Sequence, residues 1–120
     1  MITGIVNSSR EARITIPVIA PDGARRDLSA VIDTGFDGWL TLHETVIESL
    51  HLPWLTRGRV LLADGSDVYV AEVVWHDEQK RVLVDAAPSD PLIGMALLEG
   101  SRLSVDVRTG GTVTIQATRH

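Results

Sequence analysis

Asp33 is the residue best placed to do chemistry. It ends the apolar run Leu28-Ser29-Ala30-Val31-Ile32 and opens the tripeptide Asp33-Thr34-Gly35. Such a run predicts a strand that stops at the mouth of the core, where a carboxylate is costly to keep. Thr34 adds a hydroxyl, and Gly35 lets the backbone turn sharply and approach a ligand. A carboxylate so placed suits general acid–base work on water. The same tripeptide also suits an Asx-turn that only closes a strand. Other residues offer less. His43, His51, His76 and His120 lack the close pairing of a metal site. Ser8, Ser9 and Ser66 have no base near them in sequence. Glu44 and Glu48 suit a solvated helix face. Trp39, Trp54 and Trp75 suit packing, with one of them a candidate groove wall. Tyr69 suits strand packing.

The elements that must position Asp33 are mainly β. Arg13-Ile14-Thr15-Ile16-Pro17-Val18-Ile19 alternates and is closed by Pro21-Asp22-Gly23. Arg59–Leu62 and Val68–Val74 flank Ala63-Asp64-Gly65-Ser66, which predicts a hairpin centred on Asp64-Gly65. Arg81–Val84, Leu103–Val107 and Thr112–Ile115 read as further strands, the last entered through Gly110-Gly111. Thr41–Leu50 reads as a helix with Leu42, Val46, Ile47 and Leu50 on one face. Thr41 and Glu44 have capping-box spacing, and Pro53 is the stop. Met95–Glu99 reads as a short helix ended by Gly100.

A chain of 120 residues fits one domain, expected over 1–120. With no cysteine, disulfides, thiol nucleophiles and cysteine-ligated zinc are excluded. Neither a signal peptide nor a run of about 20 apolar residues is present, so a cytoplasmic location and no membrane partner are expected. The net charge of −5 argues against nucleic acid as a partner.

Ala30-Val31-Ile32-Asp33-Thr34-Gly35 resembles the active-site signature of the retropepsin-like aspartic peptidases. Leu92-Ile93-Gly94, leading into Met95-Ala96-Leu97-Leu98, resembles the family's second element. The hairpin tip Ala63, Asp64, Gly65, Ser66 falls where the family carries its flap. The resemblance runs from about Arg13 to Ile115. It implies a mainly β, closed retropepsin-like barrel with one or two short helices, forming half of a two-fold dimer. The implied activity is that of an aspartic endopeptidase on peptide or protein substrates, with no metal and no cofactor.

Two facing carboxylates about 4 Å apart repel by ~4 kcal/mol at an effective dielectric of 20, so one keeps a proton while the other is ionised. Aspartic proteases are a standard example of that sharing. Asp22-Gly23 and Asp64-Gly65 lack the intervening Thr or Ser, so the second acid must be the Asp33 of a second copy. The resemblance implies that Thr34 grips across the two-fold axis, that Gly35 meets substrate and that Gly94 supports the site. The chain termini are the expected interface, with Thr112–Ile115 an exposed edge unless paired there. Several residues depart from the family. Phe36 is bulky where many relatives have Ser or Ala, and Met95 stands where retroviral enzymes have an Arg, which leaves Asp37 without that partner. The hairpin tip is also more polar than the retroviral flap. The alternative reading is a catalytically silent, dimeric binding or assembly module.

Overall fold

A computed structural model describes residues 1–53 and 68–118. The β-branched runs form nine strands: β1 (Ile2–Val6), β2 (Ala12–Ile19), β3 (Arg25–Ile32), β4 (Leu40–Leu42), β5 (Val68–Trp75), β6 (Glu78–Ala86), β7 (Leu92–Ile93), β8 (Ser101–Val105) and β9 (Thr112–Ala117). Two short helices, α1 (Glu44–Leu50) and α2 (Met95–Leu98), complete the described elements.

Strands β3, β7, β4, β6, β5 and β2 are bonded in that order, and β2 closes back on β3. The result is a six-stranded barrel. Strands β1, β9 and β8 continue from β2 as a tail sheet. β2 joins the two parts. One of its edges pairs with β3 from Arg13↔Val31 to Ile19↔Arg25. The other serves β1 at its start and β5 at its end. Alternation fills the core: Ile14, Ile16 and Val18 of β2, Val82 and Val84 of β6, and Val113 and Ile115 of β9 are all buried. Each contributes roughly 1.5–3 kcal/mol through burial.

The mainly β class, the closed barrel and the two short helices agree with the sequence reading. Several local expectations need correction. Thr41 does not cap a helix. It lies in β4, is 5% exposed, and its Oγ1 accepts from the Leu92 backbone N–H at 2.9 Å. The cap of α1 is His43, whose Nδ1 accepts from Thr45 N–H, and the helix ends where His51 turns left-handed (φ 53°). Thr112–Ile115 is not an edge, because β9 lies between β1 and β8. Among the described residues, the edge of the tail sheet is β8. The hairpin tip at 63–66 lies outside the described residues, as do Trp54 and His120. Within them, all eight residues of β5 pair with β6. Their turn is His76-Asp77, with φ of 52° and 63°. Both values suit a right-twisted hairpin, but neither residue is the usual Asn or Gly. Among the described residues no helix is long and apolar enough to cross a membrane.

Candidate active site

The site is built where β3 stops. β7 runs parallel to it, with Val31↔Leu92 and Ile32↔Ile93 in register. Val31 N–H donates to Pro91 O and Asp33 N–H to Ile93 O, each at 2.9 Å. Asp33 thus leaves the sheet with its backbone still anchored. Its carbonyl accepts from Phe36 N–H at 3.2 Å, and its Oδ1 accepts from Gly35 N–H at 2.9 Å. These bonds make a tight turn that fixes the carboxylate at the rim. The side chain is half-buried, and among the described residues no second donor reaches it.

The loop then crosses the end of β7. Helix α2 has no side-chain cap at Gly94. Its first N–H groups would be orphans, and loop carbonyls take them instead. Gly94 N–H donates to Trp39 O at 3.1 Å, Met95 N–H to Phe36 O at 2.8 Å, and Ala96 N–H to Gly38 O at 2.9 Å. So close a crossing excludes a side chain at Gly94, where a Cβ would fall on the Gly38 carbonyl and meet the Phe36 ring at 2.6 Å. The Phe36 ring also lies where a Cβ on Gly38 would be. The bulk at position 36 therefore packs over two glycines.

On the outer side, Arg13 holds the approach to β7. Its Nη2 donates to Asp90 Oδ2 at 2.6 Å and to Glu11 Oε1 at 3.0 Å, and its Nη1 donates to Ser29 Oγ at 3.2 Å. Hydrogen bonds to Asp90 and then Glu11 raise the Arg13 guanidinium further above its ordinary range. The Asn7 amide, followed by Arg13, holds the Glu11 carboxyl below the usual carboxylate range. These groups are solvent-facing, so each pair contributes little by itself. Their effect is to tie β2, β3 and the segment before β7 together.

Asp33 and Thr34 open onto a groove of about 360 Å³ with Val31, Leu92, Leu103 and Val105 among its walls and Arg10 and Glu11 at its polar end. Thr34 also borders a second groove of about 480 Å³, with Met95, Leu98 and Leu103. Of the residues expected at the site, Asp33, Thr34, Gly35 and Gly94 stand around one crossing. Ala63, Asp64, Gly65 and Ser66 lie outside the described residues. Asp37 is exposed and has no ion pair among the described residues. His43 and His51 cap the two ends of α1, and His76 is bonded to Ser101 at 2.9 Å. The parts not foreseen are Gly38, the carbonyls of Phe36 and Trp39, Thr41 and Arg13. Most act through the main chain, which carries no signal in residue type.

No family model and no curated protein matches the sequence. Solved structures do. A retropepsin-like aspartic protease from Rickettsia conorii superposes with a TM-score of 0.63 over 98% of this chain and 91% of that one, at 19% identity. The fold is retropepsin-like. The EIAV protease, solved with the inhibitor HBY-793, matches with a TM-score of 0.52 over 78% of this chain and 89% of that one, at 15% identity. At these identities the likeness is one of fold. Within the retropepsin-like frame, the crossing of the 33–39 loop over β7 is the feature that presents Asp33.

Proposed function

We propose that the chain is an aspartic endopeptidase whose active site forms only when two copies bring their Asp33 carboxylates together. The observation that carries this reading is the anchoring of Asp33: its backbone is bonded to β7, its Oδ1 to Gly35 N–H, and its carboxylate faces a largely apolar groove. The retropepsin-like fold supports the same reading. Phe36, the residue least expected beside the motif, does not oppose it, since its ring packs against Gly38 and Gly94.

In this reading one Asp33 is ionised and the partner's Asp33 is protonated. The ionised carboxylate takes a proton from a bound water as the water oxygen bonds to the scissile carbonyl carbon. The protonated acid donates to the carbonyl oxygen, giving a neutral gem-diol. Collapse returns a proton from the diol to one carboxylate, the C–N bond breaks, and the amine leaves with the proton taken from water. Thr34 grips across the axis, Gly35 offers backbone to the substrate, Gly94 permits the crossing, and Ala63, Asp64, Gly65 and Ser66 form the flap. Protein or peptide is the substrate, and neither a metal nor a cofactor takes part.

The test is to incubate the protein with a diverse peptide mixture from about pH 3 to about pH 8. A bell-shaped profile centred on the acid side, unaffected by chelator and lost in Asp33→Asn, is the expected result. Cleavage that persists in a folded Asp33→Asn preparation would contradict it.

A further inference from the structure

We propose that Arg10 is a specificity residue: its guanidinium pairs with an acidic side chain of a peptide lying in the groove beside Asp33. The inference rests on the peptidase reading above and names the class of peptide that the site prefers.

The turn between β1 and β2 fixes where Arg10 stands. Asn7 Oδ1 accepts from Ser9 N–H at 3.0 Å and from Glu11 N–H at 2.9 Å. Arg10 N–H donates to Asn7 O at 3.1 Å, and Asn7 N–H donates to Glu11 O at 3.0 Å. Within this frame Arg10 has a φ of 62°, a left-handed angle that glycine takes far more readily. A long cation is thus kept where the backbone alone would favour another residue, which points to a use for the side chain. The β2–β3 pairing ends at Arg13↔Val31. The segment before β2, which carries Arg10, and the segment after β3, which carries Asp33, therefore lie at the same end of that strand pair.

The neighbouring charges are already satisfied. Glu11 Oε1 accepts from Asn7 Nδ2 at 2.8 Å and from Arg13 Nη2 at 3.0 Å, and Asp90 Oδ2 accepts from the same Arg13 nitrogen at 2.6 Å. Arg10 is exposed and makes no ion pair among the described residues. It lines one groove of about 360 Å³ together with Asp33, Val31 and Leu92. Such walls suit a peptide that lays apolar groups along Val31 and Leu92 and sets a carboxylate against Arg10. The guanidinium fork matches a carboxylate, gains less from an amide and repels an amine. An endopeptidase cuts within a chain, so a side chain, not the peptide's own C-terminus, supplies that carboxylate.

The test uses matched peptides with Glu, Gln or Lys at each position around the cleaved bond, each made with a free and with an amidated C-terminus. At about pH 5.5, where glutamate is ionised, the Glu peptide is expected to exceed the Gln peptide about fivefold in kcat/KM, through KM. High salt is expected to erase the difference. Arg10→Gly is expected to bring the ratio to about one at an unchanged urea midpoint, because glycine accepts the left-handed angle. Arg10→Glu is expected to turn the preference to the Lys peptide, which loss of folding could not do. Arg26→Gln, which removes the same charge at the far end of the β2–β3 pair, is expected to keep the ratio. A wild-type ratio of one, a ratio that survives Arg10→Gly, or a preference confined to peptides with a free C-terminus overturns the assignment. If no peptide is cleaved, the anisotropy of fluorescein-labelled Glu and Gln peptides decides. Tighter binding of the Glu peptide that is lost in Arg10→Gly upholds Arg10 and removes the peptidase reading, whereas equal binding overturns both.

Discussion

The loop that crosses β7 and the edge of the tail sheet face the same physical problem, backbone polar groups without partners, and meet it differently. At the crossing, carbonyls of Phe36, Gly38 and Trp39 take the first N–H groups of α2, and Thr41 Oγ1 takes the Leu92 N–H. That region is complete within one chain. At the edge, the outward groups of Ser101, Leu103 and Val105 have no described strand beside them. The first region places one carboxylate with a rigid backbone. The second remains an open edge among the described residues. In the proposed two-copy site, a single chain would fold its half fully and leave the rest to association.

Substitutions in the two regions should separate these roles. The largest effect is expected from Asp33→Asn, which keeps size and shape but cannot hold the charge that activates water. Peptide cleavage should fall about a thousandfold or more, with sedimentation unchanged. Gly94→Ala should cost the single chain about 3 kcal/mol in denaturant unfolding, because the new methyl meets the Gly38 carbonyl and the Phe36 ring. Thr41→Val should cost about 2 kcal/mol, since the Leu92 N–H would lose its acceptor beside a buried side chain. Val105→Pro should cost the isolated chain only about 1 kcal/mol, as its N–H is not used by β9. If Val105→Pro unfolded the chain as badly as Gly94→Ala, the contrast between a complete and an open region would collapse.

The smallest effects concern pH. The Glu11 carboxyl is held low by Asn7 and Arg13, so its contribution is present above 4.5 and is lost as the pH falls below that value. Burial, followed by the nearby N-terminal and Lys80 charges, pushes the His76 imidazole down. The folded chain therefore favours the neutral ring, and this contribution is full above 6.5 and eroded as the pH drops below it. Melting temperature should decline in both windows. Asn7→Ala should reduce the lower decline and His76→Gln the upper one. Unaltered slopes would remove these assignments.

Much of the fold was legible in the sequence because alternation and β-branching announce strands: β2, β5 and β9 were read at nearly their observed places, and β6 only over its centre, Arg81–Val84. β1, β4 and β7 were not. Leu92–Ile93 and Leu40–Leu42 are too short to show a period, and they are strands only because barrel neighbours accept them. Thr41 looked like a cap because its spacing to Glu44 is right, yet a tertiary bond to Leu92 claims its hydroxyl. The His76-Asp77 turn lacks the glycine that would have signalled it. That Asp33, Thr34, Gly35 and Gly94 would stand near one another was legible from residue type and order. The loop carbonyls that cap α2 were not, since any residue supplies a carbonyl. Which strand forms the tail edge was also hidden. β9 ends the chain but is sandwiched, and only the register reveals that β8 is outermost.

Subunit mixing tests the shared site most directly. Wild-type chains are equilibrated with Asp33→Asn chains at fixed total concentration, and peptide cleavage is read against the wild-type fraction. If two Asp33 residues from separate copies make one site, mixed dimers are inactive and cleavage follows the square of that fraction, about one quarter at an equal mixture. A linear fall, to about one half, would mean that each chain acts alone and would contradict the two-copy site.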